Sequence, residues 1–184
     1  MIAPILTYHA GNISGNEYAD NDHLALASDL AMFTAMGWRV VPLQWLVEQR
    51  LGLANRDLAR CLVLTCDDGT DLDVRDVVYP GLGVQRGFLG CLEDAISEAP
   101  VIQRDVHMTA FVIADPDARS RMDRECLHGL DWMREDWWAG AQASGRMAIE
   151  CHSWDHNHAI LPGTGVDGMA RGDFHQVDLS LIHI

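Results

Sequence analysis

A chain of 184 residues that is 48% hydrophobic is long enough for one domain with a sizeable core. Its 27 acidic and 13 basic residues give a formal charge of −14. Such a surface repels phosphate backbones and anionic lipid, which argues against nucleic-acid and membrane-surface partners.

The chain opens with MIAPILTYHA, an apolar stretch with no basic region ahead of it. It reads as a strand over 4–8 rather than a signal peptide, so a cytoplasmic location is expected. The stretch DHLALASDLAMFTAMG, residues 22–37, repeats Leu26, Leu30 and Phe33 at helical spacing, with Asn21 or Asp22 to cap it and Gly37 to end it. A short strand at 39–41 and a helix over 42–50 follow, the helix stopping near Gly52. Residues 61–66, CLVLTC, form a continuous apolar run, as strands covered on both faces do. Residues 69–106 carry Gly and Pro punctuation and read as a long loop with one short helix near 88–96; loops of that length are often functional. Strands at 108–113 and 147–151 flank a helix predicted over 130–144, with Leu130, Met133, Trp137 and Ala141 aligned and Gly145 at its end. Alternating strands and helices imply an α/β fold with a mainly parallel sheet. No apolar run approaches the roughly 20 residues that span a bilayer. The five cysteines, at 61, 66, 91, 126 and 151, form no CxxC pair. They point to a reduced protein with neither a disulfide framework nor a cysteine zinc site.

Two stretches carry chemistry. In LTCDDGTDLD, residues 64–73, the carboxylates of Asp67 and Asp68 stand where an apolar strand ends and Gly69 lets the backbone turn. The carboxyl ends of strands are where α/β folds bind ligands, yet Asp-Asp-Gly is also an ordinary solvated turn, and this stretch alone leaves both readings open. In ECHSWDHNHA, residues 150–159, His152 and His156 lie four apart at the end of another apolar strand, close enough to share a metal if one helical turn connects them. Nine histidines make such a pair by chance nearly as readily. Chance does not account for carboxylates and histidines both standing just beyond strands that a parallel sheet brings to one rim. One carboxylate and two imidazoles would leave a coordination position open for water, with the second carboxylate as a base.

Taken in order, ILTYH, TCDDG, HMTAFVI and HSWDH make the chain resemble the polysaccharide deacetylase family, also called the NodB-homology domain or carbohydrate esterase family 4. HSWDH fits the family's H-[ST]-x-x-H, and TCDDG stands where the family usually has TFDDG. The resemblance spans most of residues 4–160. It implies an irregular (β/α) barrel and a metal-dependent hydrolase that removes acetyl or similar acyl groups from a carbohydrate, at C–N amide or ester bonds. Asp67 would be the catalytic base. Asp68, His152 and His156 would hold a divalent metal, zinc first, with cobalt or nickel also admissible. The metal would polarise the acyl carbonyl and bind the attacking water, whose proton Asp67 takes. A haloacid-dehalogenase-type phosphatase needs D-x-D-G-T, and Cys66 stands in the nucleophile's place. A calcium loop needs Gly at its sixth position, not its third.

Around these residues, His9 closes the first strand and reads as a structural hydrogen-bonding group at least as well as a site residue. His158 reads as exposed more readily than as a substitute ligand or supporting group, and Asp71 and Asp73 as solvating the loop more readily than as helping to bind the site's cation. Trp132, Trp137 and Trp138 offer sugar-stacking surfaces, although helical spacing favours core packing for Trp137.

The chain also departs from the family. Only 26 residues (159–184) follow His158, and they hold no R-x-P-Y pattern, so the family's third-motif arginine and its late general-acid histidine are not found; His183 is not taken as the latter. Residues 179–184, LSLIHI, can be encoded by CTG-TCT-CTT-ATA-CAC-ATC, which resembles a transposon-end sequencing adapter. The expectation is that 1–178 are the N-terminal part of a NodB-like domain and 179–184 a non-native tail. The barrel would then be incomplete, and the chain poorly stable and weakly active. Synonymous codons at 179–184 in the nucleotide sequence would exclude that origin. Two alternatives stand beside the deacetylase reading: a small-amide hydrolase of the same family, its pocket reshaped by 70–106, and a non-catalytic metal-binding domain. The expected substrate is accordingly a carbohydrate or a small acylated amine.

Overall fold

A computed structural model describes residues 3–156. His158 and the 179–184 tail lie outside the described residues.

The fold is mixed α/β around a parallel sheet. The strands are β1 (Ile5–Tyr8), β2 (Arg39–Val40), β3 (Cys61–Asp68), β6 (Met108–Val112) and β7 (Met147–Cys151). Their order is β1-β3-β6-β7, with β2 pairing the first two residues of β3, and every pairing in this sheet is parallel. Parallel registry carries all the strands' carboxyl ends to one rim. Among the described residues the sheet does not close on itself. No helix among them is long and apolar enough to cross a membrane.

Strand alternation divides the β3 side chains between two faces. Leu62, Leu64 and Cys66 enter the main core with Leu26 and Leu30 of helix α1 (Asp22–Ala35) and with Phe88 and Leu92 of helix α3 (Phe88–Glu98). Cys61 and Val63 enter a smaller cluster with Ala3, Val41 and Leu58, against Leu43, Trp45 and Leu46 of helix α2 (Leu43–Arg50). The second face turns polar toward the rim. Thr65 and Asp67 follow Val63 on it, and the Thr65 hydroxyl meets that of Thr7 at 2.8 Å.

Helix α1 starts where its cap predicts: the Asn21 side chain accepts the N–H groups of His23 and Leu24, and Gly37 follows with φ +72°. Its Asp29 accepts hydrogen bonds from the hydroxyls of Tyr8 (2.7 Å) and Tyr18 (2.9 Å). The buried His23 ring brackets the β1 exit and the start of α3, its nitrogens 2.9 Å from the Ala10 carbonyl oxygen and 2.7 Å from that of Arg86.

The structure corrects two expectations, for 69–106 and for 130–144, and adds a helix between them. Segment 69–106 is not an irregular loop: besides α3 it holds a 3-10 turn, Asp71–Asp73, and an antiparallel hairpin of β4 (Val77–Tyr79) and β5 (Gly83–Gln85). A helix that the apolar pattern did not reveal, α4 (Pro116–Cys126), follows β6. Its signal was at its start, where Asp115 caps the N–H of Asp117 and Pro116 occupies the first turn. The helix predicted over 130–144 is only α5 (Trp138–Ala143). Residues 127–137 are irregular because their backbone groups bond elsewhere: Asp123 accepts the N–H groups of Asp131 and Trp132, and Arg119 donates to the Met133 carbonyl. Met133, Trp137 and Ala141 are nevertheless buried.

Phe88 is fully buried and meets Tyr8 edge-on at 6.2 Å and His23 at 4.6 Å. Phe88→Ala should therefore lower unfolding free energy by about 3–5 kcal/mol, read from urea denaturation midpoints; a loss below about 1 kcal/mol would show that α3 does not complete this core.

Candidate metal centre

The site forms where β3 and β7 leave the sheet. Strand β3 runs through Asp68, so both carboxylates belong to the strand's last residues rather than to the turn beyond it. Simple alternation would send them to opposite faces. Asp68, however, has φ +78° and Gly69 φ +79°, and this left-handed pair breaks the alternation at the rim. Glycine is required at 69: a Cβ there would stand 2.6 Å from Val112 Cγ1. Asp67 is 2% exposed, with Oδ2 3.7 Å from His9 Nε2. His9 thus lies beside the candidate base.

The HSWDH segment arrives from β7 as a tight irregular turn, not a helical one. Ser153 has φ +71° and His156 φ +48°, and Ser153 Oγ accepts the His156 N–H at 3.0 Å. The two imidazoles lie 4.6 Å apart, tilted by 33°. Asp68 Oδ1 stands 3.9 Å from His152 Nε2 and 3.7 Å from His156 Nε2. One ligand atom from each of the three residues lies within 4.8 Å of the others.

These donors fit a cation better than they fit one another. The carboxylate–imidazole separations exceed hydrogen-bond length and lie a few tenths of an ångström beyond the roughly 3.4 Å between donors around a tetrahedral ion with bonds of about 2 Å. His152 is 5% exposed, and its Nε2 has no hydrogen-bond partner among the described residues. Burial pushes the His152 pKa down to about 4, with His156 and His9 adding to the shift and Asp68 opposing it. The ring is therefore neutral near pH 7, the form that ligates. Asp68, His152 and His156 could hold a metal ion, and the donor set does not specify which.

The remaining predicted residues fall out differently. Asp71 and Asp73 do not solvate a loop; both are buried. Asp71 is held by Arg75 (2.5 Å) and Arg134 (2.8 Å). Asp73 accepts the Thr70 N–H at 2.9 Å. Burial, opposed by that bond but reinforced by Asp68, Asp67 and Asp71, lifts its pKa well above the ordinary value. Cys66 lies on the face opposite Asp67, and burial with neighbouring carboxylates pushes its thiol well up, so it serves the core and is no nucleophile. Trp137 is buried as its spacing predicted, Trp132 stacks on Tyr79 at 5.6 Å, and Arg119 lies over Trp138 at 4.9 Å.

Compared with models of known families, with curated proteins and with solved structures, the chain matches none.

Asp73 generates a pH prediction. Its folded pKa is raised, so the folded state keeps a proton that the unfolded chain releases above about pH 4, and stability falls as pH rises from there. Asp73→Asn, neutral and nearly isosteric, should be more stable than the original at pH 7 and lose that advantage below pH 4. Denaturation midpoints at the two pH values read it; an Asn variant destabilised at pH 7 would mean that Asp73 is charged and paired.

Proposed function

We propose that this chain carries the hydrolytic centre of a polysaccharide deacetylase-like enzyme and removes acetyl or similar acyl groups from a carbohydrate, at amide or ester bonds. The observation that carries the reading is the meeting of Asp68, His152 and His156 at one sheet rim, with the buried Asp67 beside them. The ordered TCDDG and HSWDH motifs support it, as does a parallel sheet whose second face turns polar toward the same rim. On this reading the five parallel strands are part of an irregular NodB-type barrel, with the face of Val63, Thr65 and Asp67 as its interior.

One carboxylate and two neutral imidazoles suit zinc, which when bound would polarise the acyl carbonyl and make a water acidic near neutral pH. The chain's own groups do the rest. Asp68 contributes a negative donor, and burial keeps His152 unprotonated. Asp67 accepts the proton of the attacking water and passes it on to the leaving amine or alcohol. His9 lies beside Asp67, with Nε2 3.7 Å from Asp67 Oδ2.

The two aspartates should separate cleanly. Asp67→Asn should bind Zn²⁺ within a few-fold of the original while losing about 10²–10⁴ in turnover of an acetylated chitooligosaccharide or of 4-nitrophenyl acetate. Asp68→Asn should lose both. Calorimetric titration and product release measure the two properties. Equal turnover by Asp67→Asn and the original would overturn the base assignment.

A further inference from the structure

The two loops of the metal centre do not hold themselves. Each is fastened to the exit of β6. The Val112 carbonyl accepts the His152 N–H at 2.8 Å, and the Ile113 N–H donates to the Asp68 carbonyl at 3.3 Å. The Ala114 N–H donates to the Ser153 carbonyl at 3.2 Å and the Asp115 N–H to the Trp154 carbonyl at 2.7 Å. Residues 112–115 are therefore a backbone bracket with the Asp68 turn on one side and the histidine turn on the other.

The bracket is gripped in turn by one side chain. Arg119 of α4 is 3% exposed, and its Nη1 donates to the carbonyls of Ile113 (2.9 Å) and Ala114 (3.0 Å). Those carbonyls belong to the peptide units whose N–H groups, on Ala114 and Asp115, hold Ser153 and Trp154. Nε donates to the Met133 carbonyl at 3.0 Å, and Nη2 to Glu135. The Met133 segment reaches the aspartate side as well: the Trp132 carbonyl accepts the Asp71 N–H at 2.6 Å, and Arg134 pairs with Asp71. A guanidinium buried among three main-chain carbonyls, with its carboxylate partner Glu135 62% exposed, is placed for its planar fork of donors rather than for an ion pair.

We propose that Arg119 is a positioning residue of the metal centre, orienting the Asp68 and His152–His156 turns through the 112–115 backbone without touching any ligand. This rests on the metal reading of Asp68, His152 and His156. Partners that orient ligands typically change metal affinity 10–100-fold when removed. Lysine at 119 keeps the charge and the stem but cannot serve three carbonyls in the same plane.

The test uses the full chain and the metals alone. The original must first bind Zn²⁺ and give a Co²⁺ absorption spectrum; if it does neither, the metal reading fails and this inference falls with it. Given binding, Arg119→Lys, folded by circular dichroism, should bind Zn²⁺ roughly tenfold more weakly and show a displaced Co²⁺ d–d band. Leu58→Ala, which loosens the smaller cluster at the start of β3, should leave the band in place. An Arg119→Lys variant with the original affinity and band overturns the proposal while leaving the metal reading standing. If Arg119→Lys does not fold, the original chain decides: Zn²⁺ should slow hydrogen exchange at the Arg119 guanidinium, because coupling between two sites is reciprocal, and unchanged exchange overturns it.

Discussion

Everything at the rim depends on four consecutive residues of β6's exit holding two loops far apart in sequence. Parallel strands supply the opportunity, since each delivers its carboxyl end to the same edge, but a strand end alone leaves its loop free to wander. Here the ladder does not stop with the sheet. His152 and Asp68 still bond β6 through their backbone, and the pattern continues through Ser153 and Trp154. The carboxylate and the imidazoles thus inherit the sheet's register, which loop packing could not fix as closely.

The same rim concentrates negative charge, and each carboxylate is accommodated by a different physical device. Asp71 has two arginines, Arg75 and Arg134. Asp73, fully buried, is driven toward its neutral form, which removes one charge from the cluster instead of balancing it. Asp68 faces two imidazoles at distances that suit a cation between them, and Asp67 lies beside His9. With its neighbours paired or driven toward neutrality, the charge that remains is directed toward the candidate metal position and the candidate base.

How far this was legible in the sequence depended on what each residue answers to. The sheet strands were legible because continuous apolar runs covered on both faces leave few alternatives. Helix α1 was legible because Asn21 and Gly37 bound it with chemistry local to its ends. Asp67, Asp68, His152 and His156 could be singled out from residue type and spacing. Helix α4 could not be found from apolar periodicity, since PDARSRMDREC buries little beyond Ala118 and its polar Arg119 and Asp123. Those two polar residues serve distant backbone: Asp123 takes the N–H groups of Asp131 and Trp132, and Arg119 the carbonyls of Ile113, Ala114 and Met133. The 127–137 segment departs from its helical spacing for the same reason, that spacing being overridden by side chains from another element. Burial of Asp71 and Asp73 was likewise invisible, because Arg75, Arg134 and the Thr70 N–H become their partners only once the chain has folded.

Left-handed backbone at Asp68, Ser153 and His156 gives the bracket its significance. Such a conformation costs a non-glycine residue about 1–2 kcal/mol and persists only where surrounding contacts over-determine it. Two of the three are metal-ligand candidates, and the third, Ser153, lies between the histidines and hydrogen-bonds to the second. Arg60 and Asp131, both exposed, are left-handed as well, so the conformation alone does not mark a site. It does help a site that must aim successive side chains at one point against the alternation of an extended chain. The β6 bracket supplies the constraint that keeps those residues from relaxing, and the geometry so held is one that brings three donors together. The proposed ligand-holding centre would account for bracket and donor set together, which an Asp-Asp-Gly turn alone does not.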